Sequence, residues 1–221
     1  MKVGAVIVAA GRGERAGGGI PKQWRMLAGQ SVAEHTVQAF ADHPLIGPIV
    51  LVVNPDDVHA STVPERSDLI RVGGGSSRSA SVLSGLRALE QLADQVLIHD
   101  AARPCVSETL ISEVIAALQS AQAAAPAIPV VDALWTGENG RVTGTADRTG
   151  LFRAQTPQGF DLAAIRAAHE QFPEGGADDV ELARRAGMDV VITQGDDNNL
   201  KITTAADFDR AEAILKGRHG H

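Results

Sequence analysis

The sequence predicts an α/β protein: a Rossmann-like three-layer sandwich with a mostly parallel central sheet and a protruding β-arm. Three observations predict it. Short, continuously apolar runs such as Val3–Ala9 alternate with amphipathic stretches of helical spacing, the pattern of strands buried on both faces between helices. Glycine-rich turns follow two of these runs directly, where the binding loops of such sheets gather. One segment, Asp132–Arg148, breaks the alternation with two β-compatible pieces around Glu138-Asn139-Gly140, and Asn-Gly is a strong hairpin signal. The expected organisation is a single domain over residues 1–221, with an arm inserted at about 132–150.

Taken in order, Val3–Ala9 is the first strand. Ser31–Asp42 is a helix, with Ser31 as N-cap and Glu34 three residues on completing a capping box. Ile49–Val53 is a strand ended by Asn54-Pro55, and Leu69–Val72 is a short strand running into Gly73-Gly74-Gly75. Ser79–Leu92 places Val82, Leu83, Leu86 and Leu89 on one helical face. Gln95–His99 is a strand, Ser107–Gln122 a helix and Ala127–Val131 a strand. After the arm come a strand near Leu151–Ala154, helices near Asp161–Gln171 and Asp178–Ala186, a strand at Asp189–Thr193 and a last helix from about Ala205. Lys216–His221 is expected to be a mobile tail.

Composition narrows the function. A chain of 221 residues buries roughly 70% of the surface its unfolded form exposes, so it folds without disulfides. Cys105 is the only cysteine, which suits a reducing compartment. The net charge of -7 argues against coating nucleic acid or an anionic membrane, and 3% aromatics with no tyrosine argue against base-stacking platforms. The run from Val3 to Ala10 is short for a signal peptide and meets Arg12, Glu14 and Arg15 at once, so a cytoplasmic location is expected. No stretch approaches the roughly 20 apolar residues of a membrane span. Partners are therefore expected to be small molecules, and any phosphate site must be a local cluster of positive charge.

The loop after the first strand offers such a cluster. Gly11, Gly13 and Gly17-Gly18-Gly19 let backbone N–H groups approach phosphate oxygens, and Arg15 and Lys22 bracket the loop. The dinucleotide fingerprint fails because Ala16 stands at its third glycine, and the P-loop fails because Gln23 follows Lys22.

The full set of segments is more telling. Gly11-x-Gly13-x-Arg15 with Pro21-Lys22-Gln23 resembles the signature loop of nucleotidyltransferases of the nucleotide-diphospho-sugar transferase fold. His99-Asp100-Ala101-Ala102-Arg103-Pro104-Cys105 is similar to the hallmark of the 2-C-methyl-D-erythritol 4-phosphate cytidylyltransferase family. Arg148-x-Gly150-Leu151, Thr156-Pro157-Gln158 and Asn199-x-Lys201-Ile202-Thr203 match further family segments, so the resemblance runs from about Val3 to Leu215.

The resemblance implies transfer of CMP from CTP to a sugar-alcohol phosphate, with Mg2+ accompanying the triphosphate. It implies catalytic roles for Arg15, Lys22 and Lys201 as cations beside the phosphates. It implies CTP contacts from Ala9, Ala10, Gly11, Gly13, Gly75, Ser81, Asp100 and Ala101. The acceptor would meet Asp100, Arg103, Arg148 and Thr156. Asp100 is a candidate metal ligand, directly or through water, and the metal's ligands are otherwise open. The arm implies a homodimer in which Arg148 reaches the partner's site. Ser76, Ala133 and Ala177 depart from residues common in the family. Two other readings stay open: a ribitol-5-phosphate cytidylyltransferase, differing around Arg103, Arg148 and Thr156, and a non-catalytic nucleotide sensor.

The remaining residues carry simpler expectations. His35, His43, His59 and His169 lack ligand spacing and are expected at the surface or at caps. His99 is expected to be structural and Cys105 buried. Asp178-Asp179 is expected to start a helix. Trp24 and Trp135 are expected to pack, the latter in the arm's dimer contact.

Overall fold

The computed structural model describes residues 2–11 and 19–219. In chain order, β1 (Val3–Val8) precedes a small hairpin of β2 (Met26–Leu27) and β3 (Gln30–Ser31), then α1 (Val32–Ala41), β4 (Ile46–Val53) and β5 (Leu69–Gly73). α2 (Arg78–Ala88), β6 (Gln95–Asp100), α3 (Glu108–Ala117) and β7 (Ala123–Pro129) follow, then β8 (Leu134–Glu138) and β9 (Arg141–Ala146). The chain closes with β10 (Phe152–Ala154), β11 (Gln158–Asp161), α4 (Leu162–Gln171), α5 (Asp179–Arg185), β12 (Val190–Gln194) and α6 (Ala205–His219).

The main sheet has eight strands among the described residues. β1 pairs in parallel with β4 on one side and β6 on the other, and β5 extends β4 in parallel. Beyond β6 the sheet changes character. β11 runs antiparallel to both β6 and β7, β10 antiparallel to β7, and β12 parallel to β7. Because Ala123 and Ala127 each pair with β12 and also with β11 or β10, the latter two share one edge of β7 and β12 takes the other.

Alternate residues of the central strands enter two cores. Ala5 and Ile7 of β1 and Ile49 and Leu51 of β4 face Phe40 of α1 and Ile111 and Val114 of α3. Val6, Val50 and Val52 face Val82 and Leu86 of α2 and Ile165 of α4. Each fully buried Val, Leu or Ile contributes about 1.5–3 kcal/mol, which is why these strands read as unbroken apolar runs. The expected three-layer α/β architecture is thus present. β8 and β9 form a separate two-stranded ribbon whose turn holds Asn139 and Gly140 at positive φ, with Trp135 and Val142 exposed.

Local signals held best where caps were explicit. Ser31 and Glu34 form the expected capping box, Ser107 caps α3, and Asp161 and Asp178 cap α4 and α5. Differences lie mostly in the second half. β7 starts at Ala123 instead of Ala127, because pairing on both edges overrides the helical preference of Ala123-Ala124-Ala125. β11 was not foreseen, being four residues with one large apolar side chain. α2 and α3 end earlier, at Ala88 and Ala117. The expected tail continues as α6 to His219, with Arg218 donating to the Cys105 and Val106 carbonyls.

Candidate active site

A cavity of about 1110 Å³ opens at the carboxyl ends of β1, β5 and β6, as parallel sheets dictate. Ala9, Ala10 and Gly11 leave β1, Gly74 to Arg78 leave β5, and Asp100 to Ala102 end and follow β6; all line it. Lys22, Gln23 and Lys201 complete the nearby wall.

One side of the cavity is built from backbone. A Cβ on Gly74 would lie 2.5 Å from the Ala10 Cβ and 2.9 Å from the Ser81 Oγ, so the β5 turn can press against the β1 loop only as glycine. Ser81 is buried; its Oγ accepts from the Gly75 N–H at 3.1 Å and donates to the Ser77 carbonyl at 2.8 Å. Its hydroxyl therefore shapes the turn. The buried Gln23 amide donates to the Ala9 carbonyl at 2.8 Å and the Gly11 carbonyl at 2.7 Å, fixing the start of the first loop.

The opposite side is built from charge. The Lys201 ammonium sits 2.8 Å from Asp100 Oδ2, with Arg103 Nε at 3.7 Å from the same oxygen and Arg78 Nη2 at 3.8 Å from Oδ1. Lys22 Nζ donates to the Ile202 carbonyl at 2.7 Å, one residue from Lys201. Burial alone would raise the Asp100 carboxyl; the charges of Lys201, Arg78 and Arg103 outweigh it and hold Asp100 well below the usual carboxylate range. Asp100 is thus an anion at every physiological pH.

Behind Asp100 lies a polar network. Arg103 Nη1 donates to the Asn199 carbonyl at 2.7 Å, and the Asn199 amide donates to the Thr156 carbonyl at 2.8 Å. The Thr156 hydroxyl, expected to face the acceptor, turns inward onto His99 and the Asp100 N–H. His99 is fully buried, and burial pushes its imidazole down to about 4, so it is neutral. Arg148 is not brought to this cavity; it is exposed, its guanidinium on the Val131 carbonyl. Arg15 and Gly13 lie outside the described residues.

Comparison with known proteins decides the family. The model of the family described as "IspD: 2-C-methyl-D-erythritol 4-phosphate cytidylyltransferase" matches residues 3–217. The chain belongs to the 2-C-methyl-D-erythritol 4-phosphate cytidylyltransferase family. A curated member from Roseobacter denitrificans is 67% identical over 221 residues, covering 100% of each chain. The Rhodobacter capsulatus "Bifunctional enzyme IspD/IspF" is 54% identical; all of this chain matches 58% of that longer one. The crystal structure of the Thermus thermophilus cytidylyltransferase is 32% identical with a TM-score of 0.83, covering 98% of this chain and 100% of that one. As a member of this family the chain is a cytidylyltransferase, and thus a nucleotidyltransferase.

Cytidylyltransferase chemistry brings a triphosphate and, with it, a divalent cation. Among the described residues no group of three or more His, Cys, Asp and Glu could hold a metal, and Asp100 is the one carboxylate lining the cavity. That donor set fits a hard cation that arrives on phosphate oxygens, keeps several waters and takes at most one carboxylate.

Sequence reasoning missed Arg78, Asp179 and His169. Arg78 lines the cavity while its guanidinium grips Asp179 at 2.8 and 3.1 Å. Asp179, read as a helix-start residue, is fully buried and also lies 3.2 Å from His169 Nε2. His169 and His43, expected at the surface, are buried, His169 against Ser79 and His43 against Ser112. The arginine closing a glycine turn was a usable signal for Arg78; nothing in the sequence marked His169.

Proposed function

We propose that this cavity binds CTP and that the protein transfers CMP to 2-C-methyl-D-erythritol 4-phosphate, releasing pyrophosphate. The observation that carries the reading is the convergence of Lys22 and Lys201 at one wall of a cavity whose other wall is glycine backbone. A phosphate oxygen of the acceptor attacks the CTP α-phosphorus and the bond to pyrophosphate breaks. The nucleophile is already anionic, so no strong general base is needed. The barrier is charge: two anions meet and negative charge accumulates at five-coordinate phosphorus. Preorganised cations lower it, each about 3–4 kcal/mol for a well-placed donor. Lys22 and Lys201, with Arg15 of the first loop, are assigned that task. Ala9, Ala10, Gly11, Gly13, Gly75, Ala101 and the Ser81-braced turn hold the nucleotide, and Arg103 and Arg148 clamp the acceptor phosphate. Thr156 supports Asp100 from behind.

Mg2+ travels with the triphosphate, with Asp100 as the candidate protein ligand among the described residues, directly or through water; when bound it neutralises phosphate charge. A homodimer is the preferred assembly, because the ribbon and its neighbours expose Trp135, Val142, Leu151 and Phe152. Arg148, exposed beside that ribbon, would then serve the partner's site. The setting inferred for this chemistry is the cytoplasm.

The test is pyrophosphate release from CTP and Mg2+ with each acceptor. Turnover of 2-C-methyl-D-erythritol 4-phosphate supports the reading. Turnover of ribitol 5-phosphate alone would replace it, and CTP binding without turnover of either would point to a nucleotide sensor.

A further inference from the structure

His99 and Thr156 lie behind Asp100, 0% and 5% exposed. His99 Nε2 is 3.2 Å from the Arg103 carbonyl, which can only accept, so Nε2 carries the hydrogen. Nδ1 is then the acceptor for the Thr156 hydroxyl at 3.0 Å, and Thr156 Oγ1 in turn accepts the Asp100 N–H at 3.2 Å. The bonds run in one direction: Asp100 N–H to Thr156, Thr156 O–H to His99, His99 N–H to the Arg103 carbonyl. The chain closes a ring across the β6 loop and the segment between β10 and β11.

We propose that His99 is a positioning residue for the acceptor side of the reaction, holding Asp100 and Arg103 in one arrangement through its Nε2–H tautomer and Thr156. This rests on the reading that Asp100 and Arg103 meet the acceptor. None of these bonds touches Ala10, Gly74 or Gly75, so the wall assigned to the base is independent of the relay. Thr156 acts through its neighbours, its hydroxyl already used in both directions.

Two measurements test this on the full-length protein. Imidazole 15N NMR, with the His99 signals identified by their loss in His99→Phe, should show a protonated Nε2 and an unprotonated Nδ1. The opposite tautomer or an imidazolium at neutral pH overturns the relay, whether or not the enzyme turns over. In steady-state assays His99→Phe, which replaces the imidazole tilted against Phe40 at 5.0 Å with another aromatic ring, and Thr156→Val should each lower kcat/KM for the acceptor about tenfold or more, with KM for CTP within about threefold. Thr156→Ser, which keeps the hydroxyl, should stay near wild type. The double variant should lose little beyond either single one, because both break the same chain. Fully multiplicative losses, or equal losses for CTP and acceptor, would overturn the proposal. A wild type without pyrophosphate release would instead remove the functional reading and leave NMR to decide the tautomer.

Discussion

The two halves of the sheet make their parts of the site in different ways. β5, β4, β1 and β6 are parallel, with β1, β6 and most of β4 buried on both faces, and they end in loops that present backbone: Ala9 to Gly11, Gly74 and Gly75, Ala101. From β11 to β12 the pairing is mixed, and the chain beside these strands presents side chains and carbonyls tied to the β6 loop: Asn199 to Arg103 and to Thr156, Lys201 to Asp100. The first half can select a base edge by shape and amide geometry and also brings Lys22 and Arg78, whereas the second adds Lys201 and braces the Asp100 segment from behind. Asp100, at the end of β6, sits where the two meet.

The largest expected effect breaks the join between them. Asp179→Ala leaves Arg78 and His169 facing a buried void without their shared carboxylate, and should cost about 3 kcal/mol of stability in urea unfolding. A loss below about 1 kcal/mol would mean that the Arg78–Asp179 pair does not brace the turn to α5.

A smaller effect sharpens the contrast in building material. Gly74→Ala forces a methyl to within 2.5 Å of Ala10, a displacement worth about 1–3 kcal/mol. It should raise KM for CTP about tenfold or more while leaving the acceptor KM nearly unchanged. Equal effects on both substrates would erase the division between the halves.

The parallel half was also the legible half. Val3–Ala9 and Ile49–Val53 announce themselves because burial on both faces demands apolar residues at every position. The first-loop lysine and the Asp100 segment were readable as motifs. The mixed half was less so. β11 fills the gap between β6 and β7 with Gln158-Gly159-Phe160-Asp161, where Gly159 is required because a Cβ would meet Val114 at 2.7 Å and Leu118 at 2.9 Å. A strand held by close approach has no apolar period to read. The burial of His169 and the inward turn of Thr156 depend on contacts 90 and 57 residues distant along the chain, which local pattern does not encode.

The smallest effect concerns the support of Lys201. Asp207 accepts from the backbone N–H groups and hydroxyls of Thr203 and Thr204, which line the cavity just after Lys201. Although burial opposes it, these bonds lower its carboxyl from an ordinary 3.8 to about 2. A depressed carboxyl stabilises the fold above its unfolded value and loses that contribution as pH falls through the folded one. Asp207→Ala should therefore lower stability by about 1 kcal/mol at neutral pH, as loss of a helix cap does. The gap from wild type should close in thermal melts as pH falls from 3.8 through about 2. A gap unchanged down to that pH would mean that Asp207 acts by packing.

The most direct test of the charge-placing role is the turnover number of Lys22→Ala with CTP, Mg2+ and 2-C-methyl-D-erythritol 4-phosphate all saturating. Loss of one preorganised cation predicts a kcat lower by about 10²–10³ in a protein that still folds and binds CTP. A kcat within about threefold of wild type would contradict any part for Lys22 in the transition state.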